Sequence, residues 1–151
     1  MSTIDVGVLE AMVGQESGPG DWVTIPQTMI DGFAAMTGDR QWIHVDVERA
    51  TRESPFGGTV AHGLLVLSLV PGLIQGRAPW LEGRLGLNAG ADRLRFISPV
   101  RAGSRVRARQ QLVSVEPHGA GGAKVVTRVT VELEGQAKPA CVVDMIGVLV
   151  G

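Results

Sequence analysis

The sequence contains a single cysteine, Cys141, among its 151 residues. One thiol excludes an intramolecular disulfide framework and a zinc site with four thiolate ligands, and it favours a reducing compartment. The first 20 residues contain no lysine or arginine and no sustained apolar run, so they lack the features of a secretory signal. The longest apolar stretch, residues 63–74, is far shorter than the ~20 residues that span a bilayer. We therefore expect a cytoplasmic protein with no membrane partner.

The chain also lacks an excess of either charge. Fourteen basic residues stand against 15 acidic ones, which gives a net charge of -1. No broad cationic surface is then available for a nucleic-acid backbone or an anionic membrane, so we expect neither as a partner. With 44% hydrophobic residues and no repeat or Ser/Pro-rich linker, the sequence predicts one domain over residues 1–151.

Apolar spacing predicts two helices in the first half of the chain. Apolar side chains recur every three or four positions between residues 27 and 37, and Gly38 follows as a helix stop. Residues 62–74 are apolar on nearly every face, which is typical of a helix buried on most sides. We expect Pro71 to kink or end this second helix, because proline removes a backbone donor and clashes with the preceding turn.

The second half of the chain has the pattern of strands. Four segments rich in Val, Leu and Arg are separated by glycine and proline turns: residues 85–96, 104–115, 123–133 and 140–150. In the third segment one face is apolar, while the other is polar, as in a half-buried strand. The sequence therefore predicts an α+β domain in which a curved antiparallel sheet covers one apolar helix.

Two proton-transfer groups begin the segment between the predicted helices. Residues 39–58 are expected to form a surface loop with one helical turn over residues 47–52, and Asp39 and His44 lie at its start. A carboxylate and an imidazole that share one water can take one proton from it and deliver another, as hydration of a double bond requires. Spacing alone favours a structural explanation, in which Asp39 forms a turn and His44 makes a hydrogen bond.

The start of the second helix is another candidate site. The amide of Gly63 has no partner within the helix, and together with the helix dipole it can bind a carbonyl oxygen that gains negative charge. A glycine here can equally serve close packing of the helix under the sheet. His62 either lines this site or only begins the helix. The three histidines show no metal-ligand spacing, so no metal site is predicted.

Three segments carry a family resemblance: Gly38-Asp39 with Ile43-His44-Val45-Asp46, Val60-Ala61-His62-Gly63, and residues 93–100. They are similar to the MaoC-like hydratases, which include (R)-specific enoyl-CoA hydratases. The resemblance implies a single hot-dog domain, in which a curved antiparallel sheet wraps a central apolar helix. It also implies that Asp39 and His44 form a catalytic dyad and that the Gly63 amide polarises a thioester carbonyl.

The chain departs from the best-known hydratases at two places. Gln41-Trp42 stands where they carry Asn-Pro, which resembles the NodN-like branch, and Trp42 is expected to narrow or reshape the acyl tunnel. Asn88-Ala89-Gly90 stands where relatives often carry Asn-Tyr-Gly, so an aromatic wall is missing and Asn88 is left to orient the ligand. Trp42, His62 and Asn88 are therefore the predicted substrate-binding residues.

The implied reaction is reversible hydration of a trans-2-enoyl thioester, carried by coenzyme A or an acyl carrier protein, to the (R)-3-hydroxyacyl thioester. This chemistry requires no metal and no bound cofactor. The resemblance, together with an unpaired sheet edge, also predicts a homodimer. Two alternatives stay open: a hot-dog thioesterase, in which water attacks the carbonyl, and a non-catalytic module that binds acyl thioesters.

Overall fold

A computed structural model describes residues 3–150 of the chain. The helices are α1 (Val6–Glu10), α2 (Gln27–Thr37), α3 (Trp42–Val45), α4 (Val47–Glu53) and α5 (Gly63–Ile74). The strands are β1 (Glu16–Ser17), β2 (Val23–Thr24), β3 (Leu85–Phe96), β4 (Arg105–His118), β5 (Gly122–Leu133) and β6 (Cys141–Val150). The prediction of one domain over residues 1–151 stays a prediction, and residues 1, 2 and 151 lie outside the described part.

The strands form one antiparallel sheet. Its order is β1-β4-β5-β6-β3, and β2 pairs with β4 beside β1. Two hairpins, β4–β5 and β5–β6, form its centre, while β3 lies at one edge and pairs only with β6 among the described strands. The four predicted strands are confirmed, and the bounds of β3 agree at both ends.

The main core lies between α5 and the sheet. Alternate residues of β5 are buried, which confirms the predicted period of two: Val125, Thr127, Val129, Val131 and Leu133. Four residues of α5 pack against the sheet: Leu65, Val66, Val70 and Leu73. None of the helices within residues 3–150 is long and apolar enough to cross a membrane.

Short elements and Pro71 differ from the expectation. The sequence predicts that Pro71 kinks or ends the second helix. Helix α5 continues through Pro71 and ends at Ile74, so the expected ending at proline is wrong, while the kink stays a prediction. Pro71 is exposed on the outer side of a helix that is fixed by burial of its other faces. Helices α1 and α3 have five and four residues, too few for a periodic signal, whereas α4 confirms the turn predicted near residues 47–52.

A second, smaller core lies at the end of the sheet near the carboxyl end of α5. The fully buried Trp80, which follows α5, packs with Leu9 of α1, Leu112 of β4 and Leu149 of β6. This cluster covers the end of the sheet opposite Gly63, so the amino end of α5 and the N-terminal segment lie at different ends of the molecule.

The only cysteine is fully buried on β6. Burial raises the pKa of Cys141 from 9.0 to about 11, because desolvation disfavours the thiolate. At pH 8 the folded protein therefore carries about 100-fold less thiolate than an unperturbed cysteine.

We expect thiol titration of Cys141 with Ellman's reagent to be slow in native buffer and rapid in guanidinium chloride. Rapid labelling of the native protein at pH 8 would contradict this burial.

Candidate active site

The turn after α2 presents Asp39. Gly38 adopts a φ of +83°, a left-handed conformation that favours glycine, and its N–H bonds to the Ala34 carbonyl at 2.9 Å. The chain therefore turns away from α2 directly before Asp39. The Asp39 carboxylate is exposed, and its contact within the described residues is a long one, from the Gln41 N–H at 3.4 Å. It is free to accept hydrogen bonds from water or a ligand.

His44 lies on α3 and is 8% exposed. Its Nδ1 lies 2.6 Å from the carbonyl oxygen of Val60. Because a carbonyl only accepts hydrogen bonds, Nδ1 carries the hydrogen in this contact, and Nε2 of the neutral ring keeps its lone pair. The His44 backbone is also held, since the Gln27 side-chain amide donates to its carbonyl at 2.7 Å. The tautomer and the position of the imidazole are thus both fixed by neighbours.

His62 joins the predicted dyad. It precedes α5, is 2% exposed, and its ring stacks on His44 with centroids 3.8 Å apart and planes inclined by 24°. Its Nε2 lies 2.9 Å from the backbone oxygen of Asp39, and Phe33 packs at a centroid distance of 4.9 Å. No pattern in the sequence predicts this contact, because residues 44 and 62 share neither an element nor a recognisable spacing. A role for His62 as a substrate contact stays a prediction.

The geometry of Asp39, His44 and His62 distinguishes a metal site from a water site. Donor atoms of Asp39, His44 and His62 all lie within 4.8 Å of one another. A metal ion binds imidazole in the ring plane at about 2.0–2.1 Å. Two stacked rings, however, point their lone pairs along nearly parallel planes rather than at one point. The arrangement therefore favours a water shared by Asp39 and His44 over a metal ion shared by all three.

Gly63 begins α5 directly under Phe96 of β3. A Cβ at this position would lie 2.8 Å from the Phe96 ring and would force the ring to shift, so close packing favours glycine here. Within residues 3–150 the Gly63 N–H also has no hydrogen-bond acceptor, as expected for the first amide of a helix. The packing and anion-binding explanations are thus compatible. An apolar cavity of about 290 Å³ adjoins this position, lined by Phe56, Ala61, Val66, Phe96 and Ile97 among others.

The other two predicted substrate contacts lie elsewhere. Trp42 is two positions from His44 on α3, so their side chains leave the helix about 200° apart. The Trp42 ring packs under the Arg49 guanidinium at 4.2 Å. Asn88 lines a cavity of about 500 Å³ between the carboxyl half of α5 and the sheet. The cavity begins at Val70, roughly 10 Å along α5 from Gly63, and Asn88 lies eight residues before Phe96 on β3, so a single chain does not bring Asn88 to the dyad.

Comparison with known proteins decides the family. Residues 8–135 match the family described as MaoC like domain. The chain belongs to this family. It is 49% identical over 142 residues to 3-hydroxyacyl-thioester dehydratase Z of Mycobacterium tuberculosis strain H37Rv, a match that covers 93% of each chain. It is 44% identical over 150 residues to Nodulation protein N of Rhizobium leguminosarum bv. viciae, which covers 99% of this chain and 93% of the relative.

The solved structures give the same result for the fold. An (R)-hydratase from A. caviae involved in PHA biosynthesis superposes with a TM-score of 0.70 at 25% identity, covering 89% of this chain and 94% of that one. The predicted MaoC-like family, its NodN-like branch and the α+β hot-dog fold are therefore confirmed.

The packing under Phe96 generates a stability prediction. Gly63→Ala places a methyl group against the Phe96 ring, and we expect it to lower the free energy of unfolding by about 1–3 kcal/mol. Gly32→Ala is the matched control, because the added Cβ in the middle of α2 meets no atom within 4 Å. The control should raise the free energy of unfolding by about 0.5–1 kcal/mol. Urea denaturation measures both, and equal effects would contradict the close contact.

Proposed function

We propose that this chain, acting as one hot-dog domain, is a hydratase/dehydratase that adds water reversibly to trans-2-enoyl thioesters and forms (R)-3-hydroxyacyl thioesters. The observation that carries the proposal is the pairing of an exposed Asp39 carboxylate with a His44 ring whose Nε2 lone pair is free. The names of its relatives, a 3-hydroxyacyl-thioester dehydratase and an (R)-hydratase, support the same reaction and substrate class.

The tautomer of His44 suggests the division of labour. A water held between the two side chains gives one hydrogen bond to the Asp39 carboxylate and one to the lone pair of His44 Nε2. As the water oxygen bonds to the β-carbon, Nε2 takes the proton, and the imidazolium then delivers that proton to the α-carbon. One water is added in total, and both residues return to their starting states.

The amino end of α5 would stabilise the charge that develops on the substrate. When oxygen adds to the β-carbon, electrons move onto the thioester oxygen. The Gly63 N–H has no acceptor within residues 3–150 and lies at the positive end of a 12-residue helix, so it suits that oxygen.

The substrate path requires a second copy of the chain. Strand β3 forms the edge of the sheet, is exposed along nearly its whole length, and carries large apolar side chains in solvent: Leu85 (63%), Leu87 (53%) and Phe96 (47%). Unpaired edges with apolar side chains favour pairing with another strand. We propose that β3 pairs with β3 of a second copy and forms the predicted homodimer.

This pairing would bring Asn88 to the dyad. A two-fold axis between two β3 strands makes them antiparallel, so the Leu85 end of one lies beside the Phe96 end of the other. Phe96 lies on Gly63, whereas Asn88 opens onto the 500 Å³ cavity. Asn88 and the cavity of one subunit would then receive the acyl chain of a thioester held at Gly63 of the other.

The reaction is tested by the loss of the enoyl absorbance of crotonyl-CoA and longer homologues. Asp39→Asn and His44→Gln should each lower kcat by at least ~10²-fold, because each removes a partner of the water. The double variant should be little worse than either single variant, since the two groups act together. Asp46→Asn is the control: this nearby carboxylate only caps α4, through the Arg49 N–H at 2.9 Å, and kcat should be retained.

Other products would contradict the proposal. Release of free coenzyme A would indicate a thioesterase, and tight binding without turnover would indicate a binding module. Formation of NADH with an (S)-specific 3-hydroxyacyl-CoA dehydrogenase would overturn the (R) assignment.

The shared site is tested by mixing Asp39→Asn chains with Asn88→Ala chains. We expect each variant alone to be inactive, because each proposed site needs both residues. Each proposed site combines Asp39 of one subunit with Asn88 of the other. A hybrid dimer of one Asp39→Asn chain and one Asn88→Ala chain therefore carries both changes in one site and neither change in the other site. Random mixing should restore about a quarter of the wild-type rate, because half of the dimers are hybrids with one working site of two. A mixture of Asp39→Asn with His44→Gln should restore nothing, since those residues belong to the same chain's dyad. Equal rates for the two mixtures, or an active monomer, would refute the shared site.

A further inference from the structure

We propose that His62 is a positioning residue for the dyad, and that it acts by holding both Asp39 and His44 rather than by touching substrate. The kinetic part of this inference rests on the proposed function. At 2% exposure the His62 side chain offers a ligand almost no surface. It nevertheless contacts both members of the dyad, which come from opposite ends of the turn between α2 and α3.

The first contact fixes the backbone of Asp39. The acceptor of His62 Nε2 is the Asp39 carbonyl oxygen at 2.9 Å, so Nε2 carries the hydrogen and donates it. The Asp39 side chain is exposed, and its contact with the Gln41 N–H is 3.4 Å long. The direction of the carboxylate therefore depends mainly on where its backbone is held, and His62 holds it.

The second contact fixes the plane of the His44 ring. The single hydrogen bond from His44 Nδ1 to Val60 anchors one edge of the ring but permits the ring to tilt about that contact. The His62 ring, stacked at 3.8 Å, covers one face and prevents this tilt. The free Nε2 then keeps one direction, as proton transfer to a water at a defined place requires.

Packing alone does not account for a histidine at this position. Phe33 contacts the His62 ring, while His62 Nδ1 is buried with no hydrogen-bond partner among residues 3–150. An unpaired buried acceptor is unfavourable. A phenyl ring at this position would stack on His44 and would carry no such acceptor. What a phenyl ring lacks is the donor to the Asp39 carbonyl. The histidine is thus explained by the two contacts together.

Two variants separate the contacts. His62→Phe keeps a ring on His44 and removes the donor, whereas His62→Gln keeps an amide donor near the position of Nε2 and removes the ring. We expect each to lower kcat about 10- to 100-fold, the range for a misplaced catalytic group, with KM changed less than about twofold. Adding either change to Asp39→Asn should cost little more, because the dyad is already broken. A raised KM at unchanged kcat would make His62 a substrate contact and overturn the inference.

A spectroscopic readout keeps this test independent of catalysis. Long-range ¹H–¹⁵N spectra of the wild type should show His44 protonated at Nδ1 and His62 protonated at Nε2. The opposite tautomers would overturn the inference, even if neither variant folds. In folded His62→Gln the His44 signals should shift or broaden, and unchanged signals would also overturn it. If the wild type does not hydrate enoyl thioesters, the proposed function fails, and the His44 spectrum still decides whether His62 positions the ring.

Discussion

The burial of α5 under the sheet is the interaction on which the rest of the structure depends. This helix is apolar on nearly all sides, so it must be covered by β4, β5 and β6, whose buried inward-facing side chains are mostly valine. Burial fixes the axis of the helix. Its first amide is therefore held at one place, against Phe96, instead of moving with a surface loop.

The segment before α5 connects this rigid core to the turn that bears the dyad. The Val60 N–H donates to the Ile43 carbonyl at 3.0 Å, and the Ala61 N–H donates to the Val100 carbonyl at 2.7 Å. One extended stretch thus bonds to α3 on one side and to the segment before β4 on the other. The exposed Asp39 carboxylate stays accessible, yet the backbone around it is joined to the core within a few residues.

Local patterns account for the parts of the fold that the sequence predicted. The alternation in β5, the apolar spacing and final glycine of α2, and the apolar run of α5 each involve residues that are close in the chain. Composition and periodicity alone therefore predict these three elements. The dyad needed the family resemblance, because spacing favoured a turn and a hydrogen bond. The contact between His44 and His62 is not local, and neither residue carries a pattern that predicts it.

The prediction for Asn88 shows a different limit. Its residue type and its neighbours indicated a ligand contact, but its distance from Gly63 depends on where β3 lies in the sheet and on what pairs with its free edge. Neither property is encoded in the residues around position 88. Sequence motifs can name the members of a site that is assembled from distant segments, and they do not give its geometry.

The position of β3 in the sheet has a consequence for how the protein is made. Its neighbour is β6, with Phe96 opposite Cys141 and Leu85 opposite Val150, so its hydrogen bonds span 45 to 65 residues of chain. During synthesis β3 emerges from the ribosome well before β6 and has no described partner strand within its own chain until β6 has also emerged. Throughout that interval β3, with the large apolar side chains of Leu85, Leu87 and Phe96, is open on both edges. In this period chaperones and the concentration of nascent chains have most influence on the yield of folded enzyme.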